Sequence, residues 1–152
     1  MRVLILAVGR ARAGPERALY EHYAARILWP LELQEIELRP PAAPARRKAL
    51  EGERLLAAAP AGATLVALDA GGTALTSEAF AERLGRWRDG GVSDLAVLIG
   101  GAEGLDAAVL ARAELRLSFG RVTWPHLLVR ALLAEQLYRA QQILAGHPYH
   151  RG

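Results

Sequence analysis

Hydrophobic and polar positions divide the chain into alternating short apolar runs and longer amphipathic stretches. Arg2 to Val8 is apolar after its first residue, the pattern of a strand covered on both faces. Pro15 to Leu28 follows with Leu19, Tyr23 and Ile27 at helical spacing and a proline where helices tolerate one. Leu31 to Leu38 alternates: Leu31, Leu33 and Leu38 are apolar, whereas Glu32, Glu35 and Glu37 are polar, as in a strand near a sheet edge. Arg39 to Pro44 holds three prolines and is expected to be a loop. A helix is expected from Arg46 to Ala59, stopped by Pro60 and Gly62.

The second half repeats the alternation. Thr64 to Leu68 is a buried strand and Asp69 to Thr73 its turn. Ser77 is placed to cap a helix from Glu78 to about Arg88, which Asp89-Gly90-Gly91 ends. Asp94 to Ile99 is another buried strand, leading into Gly100-Gly101-Ala102-Glu103-Gly104. Asp106 is placed to cap a helix reaching about Glu114, and Leu115 to Phe119 is a short fifth strand. Gly120 to Pro125 is a loop, His126 to Leu144 a long helix, and Gly146 to Gly152 a tail. Five strands alternating with helices predict an α/β fold with a mostly parallel sheet of five or six strands, helices on both faces, in one domain over residues 1–152.

Composition narrows the chemistry. No apolar run is long enough to span a bilayer, and the N-terminal run lacks a cleavage signal, so no membrane role and a cytoplasmic location are expected. With no cysteine, disulfides, thiolate nucleophiles and cysteine-ligated metals drop out. His147 and His150 lie three apart in the tail with no acidic neighbour, so no metal site is expected. The phosphate-loop motif G-x-x-x-x-G-K-[ST], the full G-x-G-x-x-G fingerprint after the first strand and the G-x-S-x-G elbow are all missing. The net charge is +3, concentrated at the C-terminal end, where Arg116, Arg121, Arg130, Arg139 and Arg151 face only Glu135. Three of the four histidines share that end, a balance suited to an anionic partner such as RNA.

Two features could carry function. Glycines follow the third and fourth strands at Gly71-Gly72 and Gly100-Gly101, and ligands in open α/β sheets sit beyond the carboxyl ends of strands; tight strand-to-helix turns would place glycines there equally. The tail Gly146-His147-Pro148-Tyr149-His150-Arg151 gathers an aromatic ring, two imidazoles and a guanidinium around a proline, groups that stack on unpaired bases and contact phosphate. Glu135 and Arg139, four apart on one helix, read as an ordinary helix-surface pair.

Several segments together carry a family resemblance: VLIGGAEGL at 97–105, LSFGRVTWPH at 117–126, VR at 129–130, EQLYRA at 135–140 and HPYH at 147–150, with LAVG at 6–9 near the start. In this order and at this length the chain resembles the ribosomal RNA large subunit methyltransferase H family, SPOUT-class enzymes that methylate N3 of a pseudouridine in 23S ribosomal RNA. The resemblance covers essentially the whole chain. It implies a C-terminal trefoil knot, a feature otherwise nearly absent from proteins, and a homodimer acting on the ribosome. It also implies S-adenosyl-L-methionine as cofactor, bound against Leu68, Gly100 and the segment Phe119, Gly120, Arg121, Val122, Thr123 and Trp124. From the tail, Tyr149, His150 and Arg151 are the candidate catalytic residues, with His126 a weaker one. Ala102 stands where some relatives have proline, and the Pro40–Pro44 loop looks shorter than theirs. Two rival readings stay open at this point: a generic nucleotide binder indifferent to the tail, and an RNA-binding module that consumes no cofactor.

Overall fold

The computed structural model describes residues 1–39 and 43–151. Five strands, β1 (Arg2–Val8), β2 (Leu31–Ile36), β3 (Thr64–Ala74), β4 (Asp94–Ile99) and β5 (Leu115–Ser118), form one sheet in the order β2-β1-β4-β3-β5. Every pairing is parallel. The helices are α1 (Pro15–Ala24), α2 (Pro44–Ala58), α3 (Ser77–Asp89), α4 (Ala107–Arg112) and α5 (His126–Leu144).

The continuous apolar runs are explained by cover on both faces of the sheet. Val3, Ile5, Ala7, Val66, Leu95, Val97 and Ile99 point to one side and meet Phe80 and Leu84 of α3 and Leu133 and Leu137 of α5. Leu4, Leu6, Val8, Leu65, Ala67, Ala96 and Leu98 point to the other and meet Leu55 of α2 and Val109 of α4. Period-two alternation therefore holds within each strand, but between two buried faces. Helix α5 lies between α1 and α3 on the first face, so it is apolar on the sheet side and on both flanks. Truncating a wholly buried leucine such as Leu98 or Leu133 should cost about 2–5 kcal/mol.

Four local expectations are corrected. The chain from Asp69 to Thr73 is not a simple turn: β3 runs on to Ala74, and after a break in register its far part pairs with Leu117 and Ser118. This is possible because Gly72 lies against the backbone of β5, where a Cβ would sit 2.5 Å from the Arg116 carbonyl oxygen. Helix α3 is capped by Thr76, whose side chain accepts from the Ala79 amide; Ser77 instead donates to Gln136 on α5. Helix α1 ends at Ala24 rather than Leu28, because the backbone then turns so that the Leu28 amide donates to Gln141 of α5. Pro44 begins α2 instead of belonging to a loop, as its fixed φ suits a first helical position. The rest of the proline-rich segment, Pro40 to Ala42, lies outside the described residues.

The connection after β5 positions the site. Strand β5 is at the sheet edge, yet Arg130, in the second turn of α5, reaches the carbonyls of Val8 and Gly9 at the end of β1. Residues 119–125 must therefore cross the carboxyl ends of β3 and β4.

Candidate functional site

Under that crossing lies a cavity of about 310 Å³, within the range of small-molecule sites. Its floor is the strand ends, Leu68, Ile99 and Leu117; one wall is the Gly100–Gly104 turn, and the other is the segment from Phe119 to His126. Each wall is fixed locally. Gly104 donates its amide to the Gly101 carbonyl at 3.0 Å, and a Cβ on Gly100 would fall 2.6 Å from the Gly104 carbonyl oxygen, so the turn closes only over glycine. Opposite, the Trp124 indole N–H donates to the Phe119 carbonyl at 3.2 Å, drawing 119–124 into a closed loop. Ser118 Oγ accepts from the Gly120 amide and lies 3.1 Å from the carbonyl oxygens of both Ala70 and Gly120. Its single proton serves one of them at a time, and the hydroxyl joins this loop to the extension of β3.

Leu68, Gly100, Phe119, Gly120, Val122, Thr123 and Trp124 all line the cavity; Arg121, on the same segment, is exposed and does not. Asp69, Gly101, Ala102, Gly104, Val129 and the weaker candidate His126 line it as well. Of these, Asp69 is the residue that motif reading passed over: in sequence it belonged to a turn, and only the longer β3 sets it beside the cavity. Val122 and Trp124 keep 60% and 40% of their surface exposed, so the rim is apolar and open.

His126 and Arg130 tie this site to the first strand. Arg130 is 2% exposed. It donates to Glu35 at 2.6 Å, to the Gly9 carbonyl at 2.7 Å and to the Val8 carbonyl at 3.1 Å. Glu35 also accepts from the Ala11 amide. Burial opposes ionisation of Glu35, but the Ala11 amide and the Arg130 guanidinium outweigh it and hold the carboxyl below its usual range. The pair fixes the turn after β1, where Gly9 lies against the His126 ring.

The tail is docked, not frayed. Tyr149 donates to Glu135 at 3.1 Å, its ring meets Tyr138 edge-on at 4.8 Å, and Arg139 lies 4.9 Å over its face. Burial, then the bond to Glu135, push the Tyr149 phenol up to about 12. His150 Nδ1 is 3.1 Å from Arg139, which can only donate, so Nδ1 accepts and Nε2 carries the proton toward Glu78 at 2.7 Å. The bond from His150 lowers the Glu78 carboxyl in turn. Glu135 and Arg139, expected to be a routine surface pair, are the anchor of this network, with Arg139 donating to Glu135 at 2.6 and 2.9 Å. Arg151 is exposed and makes one long contact, 3.4 Å to the Pro148 carbonyl.

Tyr149, His150 and Arg151 do not line the first cavity. Tyr149 borders a second one of about 650 Å³ between α1, α3 and α5, which shares Leu117, Phe119, Gly120 and Trp124 with the first. The loop 119–124 is thus a common wall, with the glycine turns on one side and the tail on the other.

Similarity to known proteins places this parallel α/β fold in a family. A family described as "Predicted SPOUT methyltransferase" matches residues 1–150. A Rhodospirillum centenum protein named ribosomal RNA large subunit methyltransferase H is 60% identical over 151 residues, covering 99% of both chains. The chain belongs to this family. A namesake from Paramagnetospirillum magneticum is 58% identical with the same coverage. Among solved structures, a Legionella pneumophila methyltransferase in complex with SAM superposes with a TM-score of 0.50 at 12% identity, covering 92% of this chain and 66% of that one. That likeness shows the fold alone. Among the described residues, no group of acidic residues and histidines could hold a metal ion, and no helix is long and apolar enough to cross a membrane.

Proposed function

We propose that this protein transfers a methyl group from S-adenosyl-L-methionine to N3 of a pseudouridine in 23S ribosomal RNA, on the ribosome. In this reading it is a cytoplasmic homodimer whose one domain, residues 1–152, carries the family's C-terminal trefoil knot. The observation that carries the reading is the full-length match, at 60% identity, to a ribosomal RNA large subunit methyltransferase H. The crossing of residues 119–125 over the strand ends is consistent with such a knot. The apolar rim at Trp124 and the exposed Leu19 beside the second cavity offer a surface for a second copy.

The cavity residues fit this cofactor. Ile99, Leu117, Phe119 and Val129 give an apolar lining for a purine, and the Gly100–Gly104 turn lets backbone approach a nucleoside closely. No lysine or arginine lines the cavity to oppose a cationic sulfonium. When bound, the cofactor supplies an electrophilic methyl group and departs as a neutral thioether. The chain's part is to orient the base, exclude water and stabilise the charge that develops as N3 loses its proton. Arg151, exposed and almost unengaged, is free to meet phosphate or a carbonyl oxygen of the base. His150 is not free: both ring nitrogens are committed, so it must release Glu78 or Arg139 before it can act at the base. Tyr149, held by Glu135 with a raised pKa, stays a neutral hydroxyl at physiological pH and serves as a fixed aromatic face.

The decisive experiment is methyl transfer from labelled cofactor to ribosomes lacking this modification, with the modified nucleoside identified after digestion. Label at N3 of one pseudouridine is expected. Absence of transfer, or label on another base, refutes the proposal.

A further inference from the structure

The cavity has few ionisable side chains and they are not balanced. Asp69 and His126 are the two that line it, although the chain has nineteen lysines and arginines. A second carboxylate lies behind the wall. Glu51 of α2 is 5% exposed, and its two carboxylate oxygens are 3.3 and 3.4 Å from the place a Cβ on Gly101 would take. The next residue, Gly52, packs on the start of α4, where a Cβ would be 3.0 Å from that of Asp106 and 3.1 Å from Val109. Helix α2 therefore presses Glu51 against the back of the glycine turn, one backbone thickness from the cavity.

Little compensates this carboxylate. Among the described residues Oε2 has no hydrogen-bond partner, and it is shut off from solvent. Oε1 receives one long bond, 3.3 Å, from Arg47, whose side chain is itself 37% exposed. Arg39 and Glu37 border the small neighbouring cavity but make no bond to it. A buried acceptor left unmet normally has a cost that calls for an explanation. Because Gly101 carries no side chain, Glu51 packs directly against the backbone of the turn, which keeps the carboxylate close to the cavity.

We propose that Glu51, supported by Asp69, is a specificity-determining residue that makes this site favour the positively charged cofactor over its neutral demethylated product. The inference rests on the cofactor assignment above. Cofactor and product differ by the methyl group and one unit of positive charge, so a nearby buried carboxylate acts on one and not on the other. At a separation of about 10 Å and an effective dielectric of about 25–50, between that of a protein and that of water, the attraction corresponds to a roughly three- to tenfold preference. Such a bias favours release of the spent thioether after each turnover, through charge instead of shape.

The test is calorimetric titration of the full-length protein with S-adenosylmethionine and, separately, S-adenosylhomocysteine. For Glu51→Gln, the ratio of the two dissociation constants should move toward the product by about three- to tenfold, with product affinity nearly unchanged. Glu51→Asp, which keeps the charge, should restore most of the ratio. Equal weakening of both ligands would show a purely structural role and overturn the proposal, as would an unaltered ratio. Should Glu51→Gln fail to fold, Arg47→Gln decides. It removes the one partial counter-charge at a half-exposed position, and should raise the preference for the cofactor; no rise refutes the inference. Failure of the unmodified protein to bind S-adenosylmethionine at all would instead refute the cofactor assignment.

Discussion

Arg130→Met replaces the most deeply buried charge by a side chain of similar length and no donors. In the native protein the guanidinium meets Glu35, the Gly9 carbonyl and the Val8 carbonyl. Two opposing effects set the magnitude. Breaking a buried ion pair by removing one partner typically costs about 3–5 kcal/mol. Here Glu35 keeps the Ala11 amide and its side chain is 29% exposed, so it can partly rehydrate. Among the described residues the Nε of Arg130 has no partner, and methionine relieves that penalty. The net expectation is a loss of about 2–3 kcal/mol, because the Val8 carbonyl remains buried without its side-chain donor. Urea denaturation should show it as a midpoint lower by about 1–2 M, given a typical slope for a small protein. The loss should also shrink with acidity. The folded pKa of Glu35 lies below its ordinary 4.5, so its stabilisation is complete above that value and disappears as pH falls through the folded pKa. A loss below about 1 kcal/mol at neutral pH, or one that grows on acidification, would refute this account of the pair.

Three other changes probe the site. Gly100→Ala places a methyl 2.6 Å from the Gly104 carbonyl oxygen; the turn must open, and cofactor affinity should fall at least about tenfold by calorimetry, whereas unchanged affinity would mean that the turn does not form the binding wall. Arg151→Ala should reduce turnover on ribosomes by about tenfold or more and leave cofactor affinity within about twofold; wild-type turnover would remove Arg151 from the mechanism. Tyr20 and Tyr149 are both raised to about 12, chiefly by burial, so an ultraviolet titration should show two of the four tyrosines ionising late. The sign is that of a raised pKa: the stabilisation is full below the ordinary value of 10 and is lost as pH rises through about 12. Tyr149→Phe should remove one late transition and loosen the tail, which amide exchange at residues 147–151 would report.

By itself the sequence determined the elements, and its resemblance to a known family pointed to much of the cavity lining. Buried strands show as unbroken apolar runs, and helices as period and caps, because both are set by neighbouring residues. Gly100 was marked by a glycine turn after a buried strand, and the segment from Phe119 to Trp124 by its resemblance to a family motif; Gly100, Phe119, Gly120, Val122, Thr123 and Trp124 line the cavity. Tertiary structure decided what depends on residues far apart. The strand order β2-β1-β4-β3-β5 and the register break that carries β3 past Asp69 follow from packing and from the contact of Gly72 with Arg116. The Arg130–Glu35 pair joins positions ninety-five residues apart, and nothing near either marks the other as partner. Nothing in the sequence distinguishes Glu51 from Glu53 on the same helix; only the packing of α2 sets it behind Gly101. The tail chemistry could be read from its residue types, yet which donor each ring nitrogen of His150 meets depends on α3 and α5 lying side by side. Local periodicity fixes what each segment becomes; long-range packing fixes which charges are stripped of water and made to face one another, and the site's electrostatics belong to that second level.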